Sequence, residues 1–335
     1  MFREKQNSLN ESDSTAELRC REALAKAGFT PGGITPVAFH WSQLINPQGD
    51  KQAAIIAYES LLLEEPNHIS ALEGLAYLYQ TIGMHDKAQV YRRQLRQAEV
   101  NKYNIKDDDQ DKAVEFLLAK TGEAPEPKRM PAALIKAHFN RYADLFDELL
   151  LDSLKYQGPE LVLDELIAIY KEKKQALDIL DIGCGTGLIG EGIFEYAQTL
   201  HGIDLSDEML KHAEQRNVYD KLFNDDYLEY LRPLHDAYDV ITAVDVLNYQ
   251  GDLDEVFIRT NQALRDNGAF IFTIEVDDSE NRQYALRNTG RFQHNEDYIE
   301  KLISANGFEI INKDKVPLRE ERGELVDALL YSLKK

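Results

Sequence analysis

Hydrophobic spacing divides the chain into a helical first part and an alternating second part. Residues 14–27 read as one helix, closed by the break Thr30-Pro31-Gly32-Gly33. Further on, Ala54 and Tyr58 stand four apart and so share one helix face, with the small residue where a paired helix must approach closely. Gly49, Ala54, Tyr58 and Leu61 recur as Gly83, Ala88, Arg92 and Leu95, each 34 positions later. A fixed period of that length marks stacked two-helix repeats. They are expected over residues 36–99, with Pro66-Asn67 ending the second helix of the first unit. Residues 100–130 read as a linker: Asp107-Asp108-Asp109, a short helix over 113–120, and a stretch stiffened by Pro125 and Pro127. From Pro131 onward helices alternate with short β-branched strands, which predicts an α/β, doubly wound sheet covered on both faces. Seven strands are expected, at 176–182, 200–204, 221–224, 238–243, 269–274, 308–313 and 328–333.

In such a sheet a ligand sits beyond the carboxyl ends of the strands, where the strand order reverses. The first strand, Leu177 to Ile182, carries Asp181 near its end and runs into the turn Gly183-Cys184-Gly185-Thr186-Gly187. The glycines let backbone approach a ligand in dihedrals closed to other residues. The acid argues for a ligand bearing positive charge, since it would repel a pyrophosphate. Gly185-Thr186-Gly187-Leu188-Ile189-Gly190 also satisfies the dinucleotide pattern, so a nicotinamide-dependent oxidoreductase is a competing reading. Asp204 ends the second strand, 17 residues after Gly187, placed to accept from both hydroxyls of a ribose. Ser206 takes the N-cap of a helix over 207–216 and leaves Asp204 free; Leu205, Ser206 and Met209 border the same face.

These residues resemble the class I S-adenosylmethionine-dependent methyltransferases over roughly the last two hundred positions. Asp181, Gly183, Gly185 and Gly187 stand at the family's first motif, with Cys184 inside it. The resemblance implies S-adenosylmethionine as cofactor, with Asp181 helping to hold its amino-acid end, and an antiparallel last strand. It assigns an acid after the third strand to the adenine amino group, where Asp226 with its neighbour Tyr227 fits better than Asp225. After the fourth strand, Ala243 and Val244 lie beneath the methionine part, and Asp245, Asn248 and Tyr249 point to where the methyl group leaves. Glu275, ending the fifth strand, stands on the acceptor side. His138 to Asp147 is similar to the family's F-x-x-Y-A-x-x-F-D lid helix, in which Tyr142 and Phe146 share one face. Residues 36–99 resemble a pair of tetratricopeptide-type repeats, although Trp41 is displaced and Arg92 replaces an aromatic. Repeats followed by a methyltransferase resemble a bacterial group of predicted tetratricopeptide-containing methyltransferases, through Arg141-Tyr142-Ala143, Gly251-Asp252-Leu253 and Thr289-Gly290-Arg291-Phe292.

Composition narrows the acceptor. Net charge is −21, with 38 basic and 59 acidic residues and no concentrated basic patch, which disfavours nucleic acid. Two cysteines, Cys20 and Cys184, argue against a disulfide framework, and no apolar run suits a leader or a membrane span; a cytoplasmic protein is the expectation. Eight histidines and two cysteines lie scattered, without metal-ligand spacing. An O–H or N–H acceptor needs a base; the candidates are His294 and Asp245, then His138. Arg291 offers a planar fork to an acceptor carboxylate. Four readings follow: a small-molecule methyltransferase, a protein methyltransferase recruiting its substrate through the repeats, an adaptor with a non-catalytic cofactor domain, and the oxidoreductase.

Overall fold

The computed structural model describes residues 15–26, 50–101, 105, 107–148, 150–151, 154–171, 174–277, 282–321 and 324–335. The chain forms two compact units, Met1–Asn104 and Ile105–Lys335. In the first, the described helices are α1 (Thr15–Lys26), α2 (Lys51–Glu64), α3 (Ile69–Thr81) and α4 (His85–Asn101). Asp50 caps α2 by accepting from Ala53 N at 3.0 Å, and His68 Nδ1 caps α3 from Ala71 N at 3.2 Å. Ala54 and Ala88 are wholly buried. A Cβ on Gly74 of α3 would stand 2.7 Å from the Tyr58 ring, so the α2–α3 contact needs the small residue on α3 as well. Gly49, Trp41 and the first helix of the first repeat lie outside the described residues.

The stretch read as a linker carries a helix, as expected, but a longer one. Helix α5 (Asp107–Ala119) belongs to the second unit, where Phe116 meets Phe292 edge-on at 6.3 Å. It starts earlier than the sequence suggested because the acids at 107–109 suit a helix N-terminus. A strap follows: Lys128 O accepts from Gly251 N (2.8 Å) and Asp252 N (3.0 Å), and Met130 N donates to Tyr249 O at 2.9 Å.

After it come α6 (Ala132–Tyr142), α7 (Gly158–Tyr170), β1 (Leu177–Ile182), α8 (Leu188–Ile193), β2 (Ala197–Asp204), α9 (Asp207–Gln215), β3 (Lys221–Asn224), α10 (Tyr227–Leu231), β4 (Tyr238–Ala243), α11 (Asp254–Ala263) and β5 (Leu264–Ile274). A hairpin, β6 (Tyr284–Leu286) and β7 (Phe292–His294), then α12 (Glu296–Ala305), β8 (Glu309–Glu321) and β9 (Glu324–Lys334) complete the unit. The seven-stranded sheet has the order β3-β2-β1-β4-β5-β9-β8. Strands β1 to β5 run parallel; β9 is antiparallel to β5, and β8 to β9. The order reverses between β1 and β4, so the crevice opens beyond Ile182 and Ala243.

Alternate residues feed two cores on opposite sheet faces. Leu180, Ile241 and Phe272 join Phe257 and Tyr331 on one, while Ile179, Val240 and Ile271 join Val162 and Leu166 on the other. Two differences from the sequence reading bear on the site. The β6–β7 hairpin was not expected, and β8 runs to Glu321 rather than ending at 313.

Candidate active site

The turn after β1 is set by backbone geometry. Gly183, Gly185 and Gly187 have φ of 65°, 55° and 90°. Gly183 N and Cys184 N both donate to Ile203 O of β2, at 2.8 and 3.1 Å, and Gly187 N closes the turn on Cys184 O at 2.8 Å. A Cβ on Gly183 would stand 2.3 Å from Val246 Cγ2. One on Gly185 would meet nothing nearer than 3.9 Å, so that glycine faces open space. The space is a cavity of 320 Å³, bordered on this side by Gly183, Cys184, Gly185, Asp204 and Leu205.

Asp204 lines the cavity as expected. Its Oδ2 accepts from Gly185 N at 2.9 Å and its Oδ1 from Ser206 N at 2.8 Å, which fixes the carboxylate to both loops. Burial raises its pKa, against those backbone N–H groups. Ser206 caps α9 through Met209 N at 3.1 Å.

Several expected residues stand behind the cavity instead. Asp181 is buried, its Oδ1 accepting from Thr242 Oγ1 and its Oδ2 from Tyr219 OH, both at 2.7 Å. It braces the turn from behind, and burial pushes its pKa up to about 6. Gly187 packs against Tyr219, Arg216 and Ala213; Met209 and Ala243 are core residues. Asp226 is corrected too. It caps α10 by accepting from Leu228 N at 2.9 Å and pairs with Arg129 at 2.7 Å, while Asp225 and Tyr227 border the cavity. Glu229, three residues after Asp226, completes a capping pattern that could have revealed this.

The expected lid is α6 with the turns after it. His138, Phe139, Tyr142 and Phe146 line the cavity. Phe139 meets Tyr249 at 5.5 Å and Phe146 at 5.9 Å, both edge-on. The element is tied to the cofactor-side loops: Asn140 Oδ1 accepts from Ser206 Oγ at 2.5 Å, and Asp147 accepts from Thr186 Oγ1 at 2.5 Å and from Arg216.

At the other end of the cavity stand Asp245, Tyr249, Arg291 and Arg319. Asp245 has φ of 56°, a left-handed conformation that favours Asp, Asn and Gly and is concentrated at functional sites. Its amide donates to Thr273 Oγ1 at 2.9 Å. Its Oδ1 accepts from Asn248 Nδ2 and Arg319 Nη1, both at 2.7 Å. Burial raises its pKa, opposed first by Arg319 and then by Arg291. Tyr249 is hydrogen-bonded to Arg291, and burial raises its phenol pKa. Asn248, expected to meet substrate, is buried and supports Asp245. Glu275, also expected there, is buried against Arg319 Nη2 at 2.5 Å. Arg319 itself escaped the sequence reading, because β8 was read as ending before it.

His294 is not placed to act as base. It is wholly buried, its Nε2 lies 2.8 Å from Gln250 O, and burial lowers its pKa to about 4. Alternation along β7 turns it inward with Phe292. His138 does line the cavity, but burial and the cations Arg291, Lys120 and Arg141 lower it to about 4, so its ring is neutral near pH 7.

Comparison with known proteins accords with this architecture. Residues 180–270 match a sequence family described as "Methyltransferase domain". The chain is 32% identical over 145 residues to "Uncharacterized protein MJ1252" of Methanocaldococcus jannaschii, covering 42% of this chain and 51% of that protein. It is 31% identical over 144 residues to the malonyl-[acyl-carrier protein] O-methyltransferase of Bacillus cytotoxicus, covering 42% and 49%. The chain thus spans about half the length of the curated relatives it matches. Among solved structures it is similar to the N-methyltransferase NodS from Bradyrhizobium japonicum WM9 in complex with S-adenosyl-L-homocysteine, at 19% identity and TM-score 0.48, covering 60% of this chain and 98% of that one. The sheet order and the glycine turn of the second unit accord with the methyltransferase domain that residues 180–270 match.

Proposed function

We propose that the protein methylates an oxygen or nitrogen atom of a small-molecule acceptor. One observation carries the reading: a single cavity joins the glycine turn and Asp204 to Asp245, Tyr249 and Arg291. At 320 Å³ it lies at the low end of ligand pockets, about 300–1,000 Å³. The residues suit S-adenosylmethionine. Gly185 leaves bare backbone facing the cavity, Asp204 is held for a ribose, Asp225 and Tyr227 border the adenine position, and the acids favour a cation.

S-adenosylmethionine supplies an electrophilic methyl group when bound. The chain's part is alignment and one proton transfer. Asp245 takes the acceptor's proton, with burial raising its basicity. Arg291 meets an acceptor carboxylate, Tyr249 orients the acceptor, and the α6 aromatics exclude water. The curated O-methyltransferase relative supports oxygen as an acceptor atom. In the helical unit, α2 and α4 begin 34 residues apart, at Lys51 and His85, which supports a tetratricopeptide-type pair with α2 as second helix of its first repeat.

Titration calorimetry on the full chain tests the cofactor. Binding of S-adenosylmethionine and none of NADH is expected; NADH binding alone would overturn the reading. A screen of small hydroxyl and amine acceptors bearing a carboxylate, read by S-adenosylhomocysteine release, tests the rest. Asp245→Asn is expected to lower turnover about 10²–10⁴-fold, the usual worth of a general base. Undiminished turnover would remove Asp245 from that role.

A further inference from the structure

Arg319 is one of the largest side chains in the protein to be fully buried, with 2% of its surface exposed. It comes from the outermost strand of the sheet and ends among the residues that line the cavity. A guanidinium there loses its water, so its fork must be answered by carboxylates of fixed geometry. It is. Nη2 holds Glu275 Oε1 at 2.5 Å and Nη1 holds Asp245 Oδ1 at 2.7 Å. Asn248 Nδ2 donates to that same Oδ1 at 2.7 Å. Two donors converging on one oxygen restrain the rotation of the carboxylate.

We propose that Arg319 is a positioning residue: clamped by Glu275, it sets how the Asp245 carboxylate is turned toward the acceptor and pairs with its charge. The inference rests on the reading of Asp245 as the group that meets the acceptor's proton. The charge balance explains why two acids share one arginine. Glu275 alone would neutralise Arg319, and Asp245 alone would be held too firmly in its ionised form to take a proton. Sharing the cation between them gives Asp245 a counter-charge while burial keeps it basic. The groups that act on Asp245 come from five places: Arg319 on β8, Glu275 after β5, Arg291 before β7, Tyr156 ahead of α7, and Asn248 with Tyr249 in its own turn. Arg319 is the cation that lowers it most; Glu275 raises it.

The test is a carboxyl-carbon NMR titration of Asp245 in the full chain saturated with S-adenosylhomocysteine, its signal assigned by loss in Asp245→Asn. Arg319→Met should raise the Asp245 midpoint by about 1–3 pH units, the effect of removing a close opposite charge. Glu275→Gln should lower it, because the arginine is then no longer shared. An arginine that does not act on Asp245 would leave both midpoints in place. Unmoved midpoints in variants that still bind S-adenosylhomocysteine overturn the proposal. Should Arg319→Met fail to fold, Glu275→Gln decides alone: a lowered midpoint supports the proposal and an unchanged one overturns it. The turnover of Asp245→Asn separately tests the base, so failure of that reading is distinguishable from failure of this one.

Discussion

Replacing Asp204 by alanine is expected to weaken S-adenosylmethionine binding about 10²–10⁴-fold. Two ribose hydroxyls donating to a carboxylate contribute about 1.5–3 kcal/mol each. Their joint loss, about 3–6 kcal/mol, corresponds to that range at about 1.4 kcal/mol per decade. The loss has a second source in the protein itself. Asp204 also ties Gly185 N to Ser206 N through its two oxygens, at 2.9 and 2.8 Å. Without it, two backbone donors on neighbouring loops lose their shared acceptor, and the turn loosens where it must lie against the ligand. Asp204→Asn keeps one oxygen but turns an NH₂ toward one of those N–H groups, so a loss of about 10–100-fold is expected, intermediate between the two. Calorimetric titration measures both, with thermal unfolding as the check on the fold. An Asp204→Ala variant that binds within threefold of the parent protein would remove the ribose role.

The fold was legible in the sequence where local chemistry and tertiary demand agree. Strands β3 and β4 fall where their short apolar runs put them, and Ser206 caps α9 as its position before Asp207 foretold. The glycine turn was legible because positive φ at three alternate positions has few other solutions. Asp204 was legible because a strand end and a following N-cap together leave one acid unused. What stayed hidden depended on partners distant in sequence. Asp181 reads as a cavity residue until Tyr219 and Thr242 are seen to hold both of its oxygens. Arg319 acquires meaning only when the β8–β9 hairpin, longer than its apolar runs suggest, carries it back to β5. His294 misled because a histidine in an expected insertion reads as chemistry, whereas the unrecognised hairpin turns it into the core. Asp225 and Asp226 are adjacent, and capping decided between them.

Asp181→Asn is expected to stabilise the cofactor-free protein at pH 7.5 by up to about 3 kcal/mol and to leave it unchanged near pH 4. The folded-state pKa of Asp181 is about 6, raised by burial from an ordinary 3.8. A raised carboxyl pKa means that, between those values, the folded chain binds more protons than the unfolded one. Stability therefore falls as pH rises through that window and stays low above it. A shift of about two units at 1.36 kcal/mol each gives the figure. Other acids move the opposite way: Asp207 is held down to about 2 by Lys136 and Asn140, so the whole protein's pH profile is a sum. The difference between parent and Asp181→Asn isolates the one group. Thr242 and Tyr219 hydroxyls can rotate to serve an amide, so the substitution keeps their bonds. A charge retained at such expense beneath a ligand turn has a use if the ligand is a cation. S-adenosylmethionine should bind the ionised form preferentially, and its affinity for the parent protein should fall about tenfold between pH 7 and pH 5, as protonation of a group with that pKa requires. In Asp181→Asn the affinity at pH 7 should be lower and its pH dependence shallower. Denaturant melts and calorimetry at the two pH values give both quantities. A variant less stable than the parent at pH 7.5 would show that the two hydroxyl bonds outweigh burial of the charge, and equal slopes in both proteins would show that Asp181 does not sense the ligand.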